Sequence, residues 1–464
     1  MRWSFLILVV LAGAAALAQE SQLQADFRHE GEHVKESCDS FSFKSFASCA
    51  QEFVTDHPLH LALGSIAPQN GFGFGAAFVT HYTPNESWRL SWDVDAVAAT
   101  GGSWRTGAYM KIIHTPIEKI TVVKDPTGPP KKSSLAVHPY TVINVYAQAI
   151  SLNKLFFFGL GPDSTLAGKS VFGMTQTIVG TNVIKPIKGG LNLSLLGEAN
   201  GRFVNLRGNH STSDPSIEQS YTEVSAPGLA TQPGFFQLGE GVRIKPVLFG
   251  DHLQLNYLVN FQQFFAPADS TYSFRRWTVD LDNEFPLYRN TQSYAAKDTN
   301  GPDECSQAVG AENCPAVSTS RNRQGTIGFR FLLSESIADA GSTVPFYFQH
   351  TLGGSDINGN PALSSFADYR FRGPNLMLLH ESFEHSIWGP FGFTFLADQG
   401  KVALARGDVD FQNLKHSFAS GITLRAGGFP QVFLLFAWGG GEGNHTTASM
   451  NTSLLGGSAR PSLY

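Results

Sequence analysis

Polarity alternates with period two in this chain, block after block. Across 252–262 the odd positions carry Leu253, Leu255, Tyr257, Val259 and Phe261. The even positions carry His252, Gln254, Asn256, Leu258, Asn260 and Gln262. Successive side chains of a strand point to opposite faces, so such a block has one apolar and one polar face. The pattern recurs at 88–96, where Trp88, Leu90, Trp92, Val94 and Ala96 alternate with Arg89, Ser91, Asp93 and Asp95. It recurs at 141–149 (Ile143, Val145, Ala147, Ala149) and at 276–282 (Trp277, Val279, Leu281 against Arg276, Thr278, Asp280, Asp282). At 191–203, Leu191, Leu193, Leu195, Ala199 and Phe203 oppose Asn192, Ser194, Glu198, Asn200 and Arg202. At 326–333, Ile327, Phe329, Phe331 and Leu333 oppose Thr326, Gly328 and Arg330. Strands of a soluble core seldom keep one face this polar in nearly every neighbour. A closed barrel in a bilayer requires it: the outer face meets hydrocarbon, the inner face meets water, and all backbone groups pair.

Less regular strands are expected near 71–82, 104–114, 170–187, 234–247, 344–352, 375–387, 390–398, 413–426 and 430–443, with weak ones near 153–160 and 446–455. The sum predicts an all-β, transmembrane antiparallel β-barrel of about sixteen strands. Composition agrees. Charged residues are 15% of the chain, against roughly 25% in soluble domains. The 37 Phe and 47 Gly suit a lipid-facing band and tight turns. A net charge of −5 gives no basic surface for nucleic acid. No blade-length repeat supports a propeller. Long polar connections at 115–137, 207–232 and 289–320 alternate with short ones, which predicts long loops at one end of a barrel and short turns at the other.

The ends read differently. Residues 1–18 form an export signal: Arg2, an apolar run from Phe5 to Leu11, and Ala16-Leu17-Ala18 before the cleavage point. A retained anchor is the alternative, but the apolar run is short for a spanning helix. Residues 19–63 are expected to be a short periplasmic segment, and 64–464 the outer-membrane barrel. The four cysteines fall into two close pairs. In an oxidising compartment the simplest connectivity is Cys38–Cys49 and Cys305–Cys314, the second stapling an extracellular loop. Cross-pairing would put the N-terminal segment through the barrel. His29-Glu30-Gly31-Glu32-His33 matches the zinc-protease pattern, but Gly31 interrupts it and too little chain surrounds it to build a cleft. Asp356-Ile357-Asn358-Gly359-Asn360 resembles a calcium loop without its closing Glu. No G-x-S-x-G nucleophile elbow is present. No cofactor or metal site is expected.

Ordered motifs across 64–443 resemble the bacterial surface antigen family, the barrel superfamily of the outer-membrane assembly protein BamA and of two-partner secretion transporters. They include Gly64-Ser65-Ile66-Ala67-Pro68, Gly71-Phe72-Gly73-Phe74-Gly75 and Phe157-Phe158-Gly159-Leu160-Gly161-Pro162-Asp163-Ser164. Further on come Thr351-Leu352-Gly353-Gly354-Ser355, then 363–373 with Asp368-Tyr369-Arg370-Phe371-Arg372-Gly373, then Leu396-Ala397-Asp398-Gln399-Gly400 and Ser420-Gly421-Ile422-Thr423-Leu424-Arg425. The resemblance implies sixteen strands, a weak seal between first and last, and a long extracellular loop, here about 352–374, folded into the lumen. The family's loop-tip Arg-Gly-Phe is replaced by Ser364-Ser365-Phe366. Arg370 and Arg372 are the cations near the loop's end, and Glu381 and Asp398 on following strands are their expected acceptors. Residues 19–63 are too short for the family's periplasmic client-docking domains, which implies a separate periplasmic partner. The expected function is not enzymatic: help in inserting or translocating a protein or lipid client at the outer membrane. A solute-conducting or structural pore is the alternative, and a barrel hydrolase a third class.

Overall fold

The computed structural model describes residues 59–85, 87–114, 140–187, 191–249, 252–295, 317–388, 391–426, 429–450 and 461–463. The expected export signal, His29–His33 and all four cysteines lie outside them.

Each alternating block is a strand. The wall opens with β1 (Leu59–Ser65), β2 (Phe72–Asn85), β3 (Trp88–Ala99) and β4 (Trp104–His114). It continues through β5 (Thr141–Phe157), β6 (Ser170–Pro186), β7 (Leu193–Gly208), β8 (Phe235–Ile244) and β9 (Val247–Leu248). Next come β10 (Leu253–Phe265), β11 (Phe274–Ala295) and β12 (Val317–Ala338). After the short β13 (His350–Leu352) and β14 (Phe371–Gly373), the wall resumes with β15 (Asn375–Trp388), β16 (Phe391–Ala403) and β17 (Lys415–Ala426). It ends with β18 (Phe429–Trp438) and β19 (His445–Met450).

The main sheet has seventeen strands, but β8 and β9 both pair with β10 on either side of Pro246, so the wall has sixteen. Proline has no N–H to give the ladder, which accounts for the break. Every wall strand pairs antiparallel with its neighbours in sequence, β12 reaching β15 across the long 339–374 connection. β13 and β14 form a separate hairpin inside that connection. The wall curls until β19 touches β1 at a seam, yet among the described residues no ladder joins them.

Register fixes the faces. Val259 lies opposite Val279, and Phe261 opposite Trp277; Asn256 lies opposite Asp282, and Gln262 opposite Arg276. Directly paired residues share a face, so the odd positions of β10 form the outer surface and the even ones the lumen. Large apolar side chains are exposed outside: Trp92, Val94, Phe203, Phe329, Ile422, Leu434 and Phe436. Charged and amide side chains are buried inside: Asp93, Asp95, Arg105, Gln148, Asn200, Arg202, Arg276 and Asp398. A water-soluble protein has the reverse arrangement, and an apolar belt of this extent far exceeds what a soluble surface tolerates. Among the described residues no helix is long and apolar enough to cross a membrane; the crossing elements are strands. The expected sorting therefore holds for Val259, Trp92 and Phe329 outside and for Asn256, Arg202, Asp280 and Arg330 inside; Leu191 sits in a turn before β7.

Four sequence expectations need correction. The stretch 344–352 is no wall strand but a turn of 3-10 helix (Phe346–Phe348) running into β13. The candidates 141–149 and 153–160 are one strand, β5. The wall begins at Leu59, ahead of the expected boundary at 64. Loop length does not separate the two rims. Strand parity puts the strand ends that flank 209–234 and 339–374 at one rim, called upper here, and the described strand ends His114, Thr141, Ala295 and Val317 at the other.

Candidate functional site

The connection 339–374 turns into the barrel and packs there. Its first part is fixed by β11 and β12. Arg276, 1% exposed, donates from Nη2 to the Phe348 carbonyl at 2.5 Å and from Nε to Ser336 Oγ at 3.2 Å. His350 Nε2 bonds Ser334 Oγ at 2.7 Å. Burial first, and then Arg276, push the His350 imidazole well below its ordinary pKa of 6.5. Phe346 meets Phe157 and Phe172 edge-on at 5.1 and 5.3 Å, and Phe348 meets Phe235 at 4.9 Å. This aromatic cluster packs the loop against β5, β6 and β8.

The hairpin then reverses at Gly353 and Gly354, whose φ values are 112° and 59°. A Cβ on Gly354 would lie 2.1 Å from Asp368 Oδ1, and one on Gly353 2.5 Å from Arg370 Cβ. Glycine is required at both, for conformation and for space. The Asp368 carboxylate accepts from the Ser355 N–H at 2.9 Å and from Gln69 Nε2 at 2.7 Å, tying the loop to the β1–β2 turn. Burial raises its pKa, while Gln69 and Ser355 pull it back. Tyr369 adds a bond from its hydroxyl to the Pro68 carbonyl at 2.9 Å.

Arg370 and Arg372 do meet buried partners, but not the expected ones. Arg370 Nε lies 2.8 and 3.0 Å from the two Glu442 carboxylate oxygens, with side chains only 4% and 16% exposed. Its Nη1 and Nη2 reach Ser164 Oγ and O at 2.8 and 2.7 Å. Arg372 donates to the Phe346 carbonyl at 2.9 Å, and its own carbonyl accepts from the Gly161 N–H at 2.7 Å. Glu381 is opposite Phe329 and Ala397, on the outer face, so it cannot serve as a lumen acceptor. Asp398 does face the loop, but it accepts from the Leu363 N–H at 2.9 Å and from His380 Nδ1 at 2.5 Å rather than from an arginine. Beside it, Ser417 Oγ accepts from the Ser365 N–H at 2.8 Å. Ser364 and Phe366 are buried in the same patch, Phe366 lying 5.1 Å from Phe371. The tip triplet without an arginine is thus docked on β16 and β17 through its own backbone.

Sequence reasoning missed Glu442. It is the sole charged residue in the β18–β19 turn, set among Gly439, Gly440, Gly441 and Gly443. A lone carboxylate in a glycine-rich turn has little local role, and that was the available signal. The calcium-loop likeness at Asp356–Asn360 resolves into a closed turn. Asp356 Oδ1 accepts from the N–H groups of Asn358 and Asn360 at 2.9 and 2.8 Å. Among the described residues no three acidic, His or Cys side chains cluster as metal ligands.

The tip lies beside the seam. A cavity of about 920 Å³ is bounded by Ser65–Gln69 after β1, by Asn358–Pro361 and Asp368 of the loop, and by Val432, Phe433 and Thr446–Ala448 of β18 and β19. Seam strands and loop tip therefore share one chamber.

No family model matches the sequence, and no curated protein matches it. Among solved structures the chain is similar to CdiB from Acinetobacter baumannii, with 11% identity and a TM-score of 0.43 over 85% of this chain and 56% of that one. It is similar to BamA from Haemophilus ducreyi lacking POTRA domains 1–3, with 11% identity and a TM-score of 0.46 over 84% and 69% of the two chains. CdiB from Escherichia coli gives 11% identity and a TM-score of 0.47 over 86% and 60%. The chain spans less than two thirds of either CdiB.

Proposed function

We propose that the chain is an outer-membrane barrel whose inward-folded loop and seam, unladdered among the described residues, serve the insertion or translocation of a protein or lipid client, with the upper rim facing outward. The observation that carries this reading is the shared chamber between loop tip and seam. A wall strand edge left without a ladder exposes backbone donors and acceptors, which hydrocarbon cannot satisfy. Pairing that edge with a client strand would satisfy them, and the chamber gives the client a protected polar side. Client identity and a periplasmic partner belong to the same proposal.

A solute pore is the second reading, favoured by a cavity of about 450 Å³ near the lower rim whose lining includes Gln254, Asn256, Asp282, Glu284 and Lys245. Planar-bilayer conductance of the refolded chain, intact and lacking 355–372, separates the two. Low conductance that rises on deletion supports the loop-gated reading. High, steady conductance of the intact chain supports the pore and removes the first reading.

A further inference from the structure

The segment Pro461–Leu463 lies inside the barrel, against the wall and the loop tip. Arg202 Nη1 donates to the Ser462 carbonyl at 2.8 Å. The next backbone group, the Leu463 N–H, donates to Asn358 Oδ1 at 3.0 Å. Leu463 is buried and belongs to the same apolar cluster as Ile357, beside Asn358 in the tip turn. One residue is thus gripped by its carbonyl, the next by its N–H, and the second also by its side chain.

Wall and loop residues orient the grip. Arg202 is 1% exposed and is oriented from the wall: its Nε donates to Asn200 Oδ1 at 3.1 Å, and Asn200 Nδ2 donates to Glu198 Oε1 at 3.0 Å. Tyr146 closes the set by donating to Glu198 at 2.8 Å. On the other side, the Asp356 carboxylate fixes the turn that presents Asn358. A buried guanidinium has five N–H donors to satisfy, and the wall leaves Nη1 aimed into the lumen.

We propose that Arg202, Asn358 and the Ile357 cluster form a peptide-accepting site in the lumen, filled in this chain by its own 461–463. The contacts read backbone, so the site takes an extended polypeptide of varied sequence with an aliphatic anchor at the Leu463 position. An incoming polypeptide and the chain's own segment compete for it. This deepens the translocation reading by giving the client a place in the lumen, but it rests on the contacts above and stands apart from the seam.

The test uses a fluorescent peptide spanning 458–464 and the refolded chain lacking 461–464. The truncated chain should bind the peptide saturably, and the full chain at least tenfold more weakly because its site is filled. Arg202→Gln with Asn358→Ala in the truncated chain should weaken binding at least tenfold, as should aspartate in place of leucine in the peptide. Equal binding by full and truncated chains, or none by either, overturns the proposal. In the full chain, a photo-crosslinking residue at Leu463 should label peptides containing Asn358 or Arg202. Labelling elsewhere overturns it even if the truncated chain fails to fold. Peptide binding in a barrel that inserts no client would leave this site standing and remove the proposed function.

Discussion

Arg370 and Glu442 form a buried pair that ties the loop to the β18–β19 turn. Removing one member of a buried, hydrogen-bonded pair costs about 3–5 kcal/mol, because the other is left charged and unpartnered. Arg370→Ala and Glu442→Ala should each lower the unfolding midpoint in detergent, and the double variant should be little worse than either single one. Arg370→Ala with Glu381→Ala should instead be additive, since Glu381 is on the outer face. His350 sets a pH dependence. In the folded chain it stays neutral well below 6.5, whereas the unfolded chain takes up a proton near that value. Stability is therefore full above pH 6.5 and falls as pH drops below it. Asp368 acts in the opposite sense: its raised pKa gives a contribution present in acid and lost as pH rises through the raised value. His350→Gln should flatten the acid limb of a midpoint-against-pH curve.

At the scale of elements, the reversal at Gly353 and Gly354 decides whether the loop can enter. Gly354→Ala would force a Cβ into the Asp368 carboxylate at a φ of 59°. Limited proteolysis should then cut within 355–368 while the wall strands remain resistant; unchanged resistance would show that the loop docks without this reversal. The same scale shows what was legible beforehand. Wall strands such as β3 and β10 were readable because period two is imposed by two solvents at once. The stretch 344–352 mimicked a strand because its aromatic run is buried on all sides, where periodicity carries no signal. Arg370 and Arg372 were found as lumen cations, but their partners were not. Glu442 and Ser164 lie 72 and 206 residues away in sequence, and only barrel closure brings them near. The backbone docking of Leu363 and Ser365 leaves no trace in residue type at all.

For the whole molecule, the outer belt and the polar lumen make opposite demands on the same substitution. Val259→Arg, midway along β10 on the outer face, should cost about 2–4 kcal/mol of folding free energy in vesicles. Asn256→Arg, three positions along on the inner face, should cost far less. It would enter the cavity lined by Asp282 and Glu284. Equal penalties at the two sites would contradict the assignment of faces.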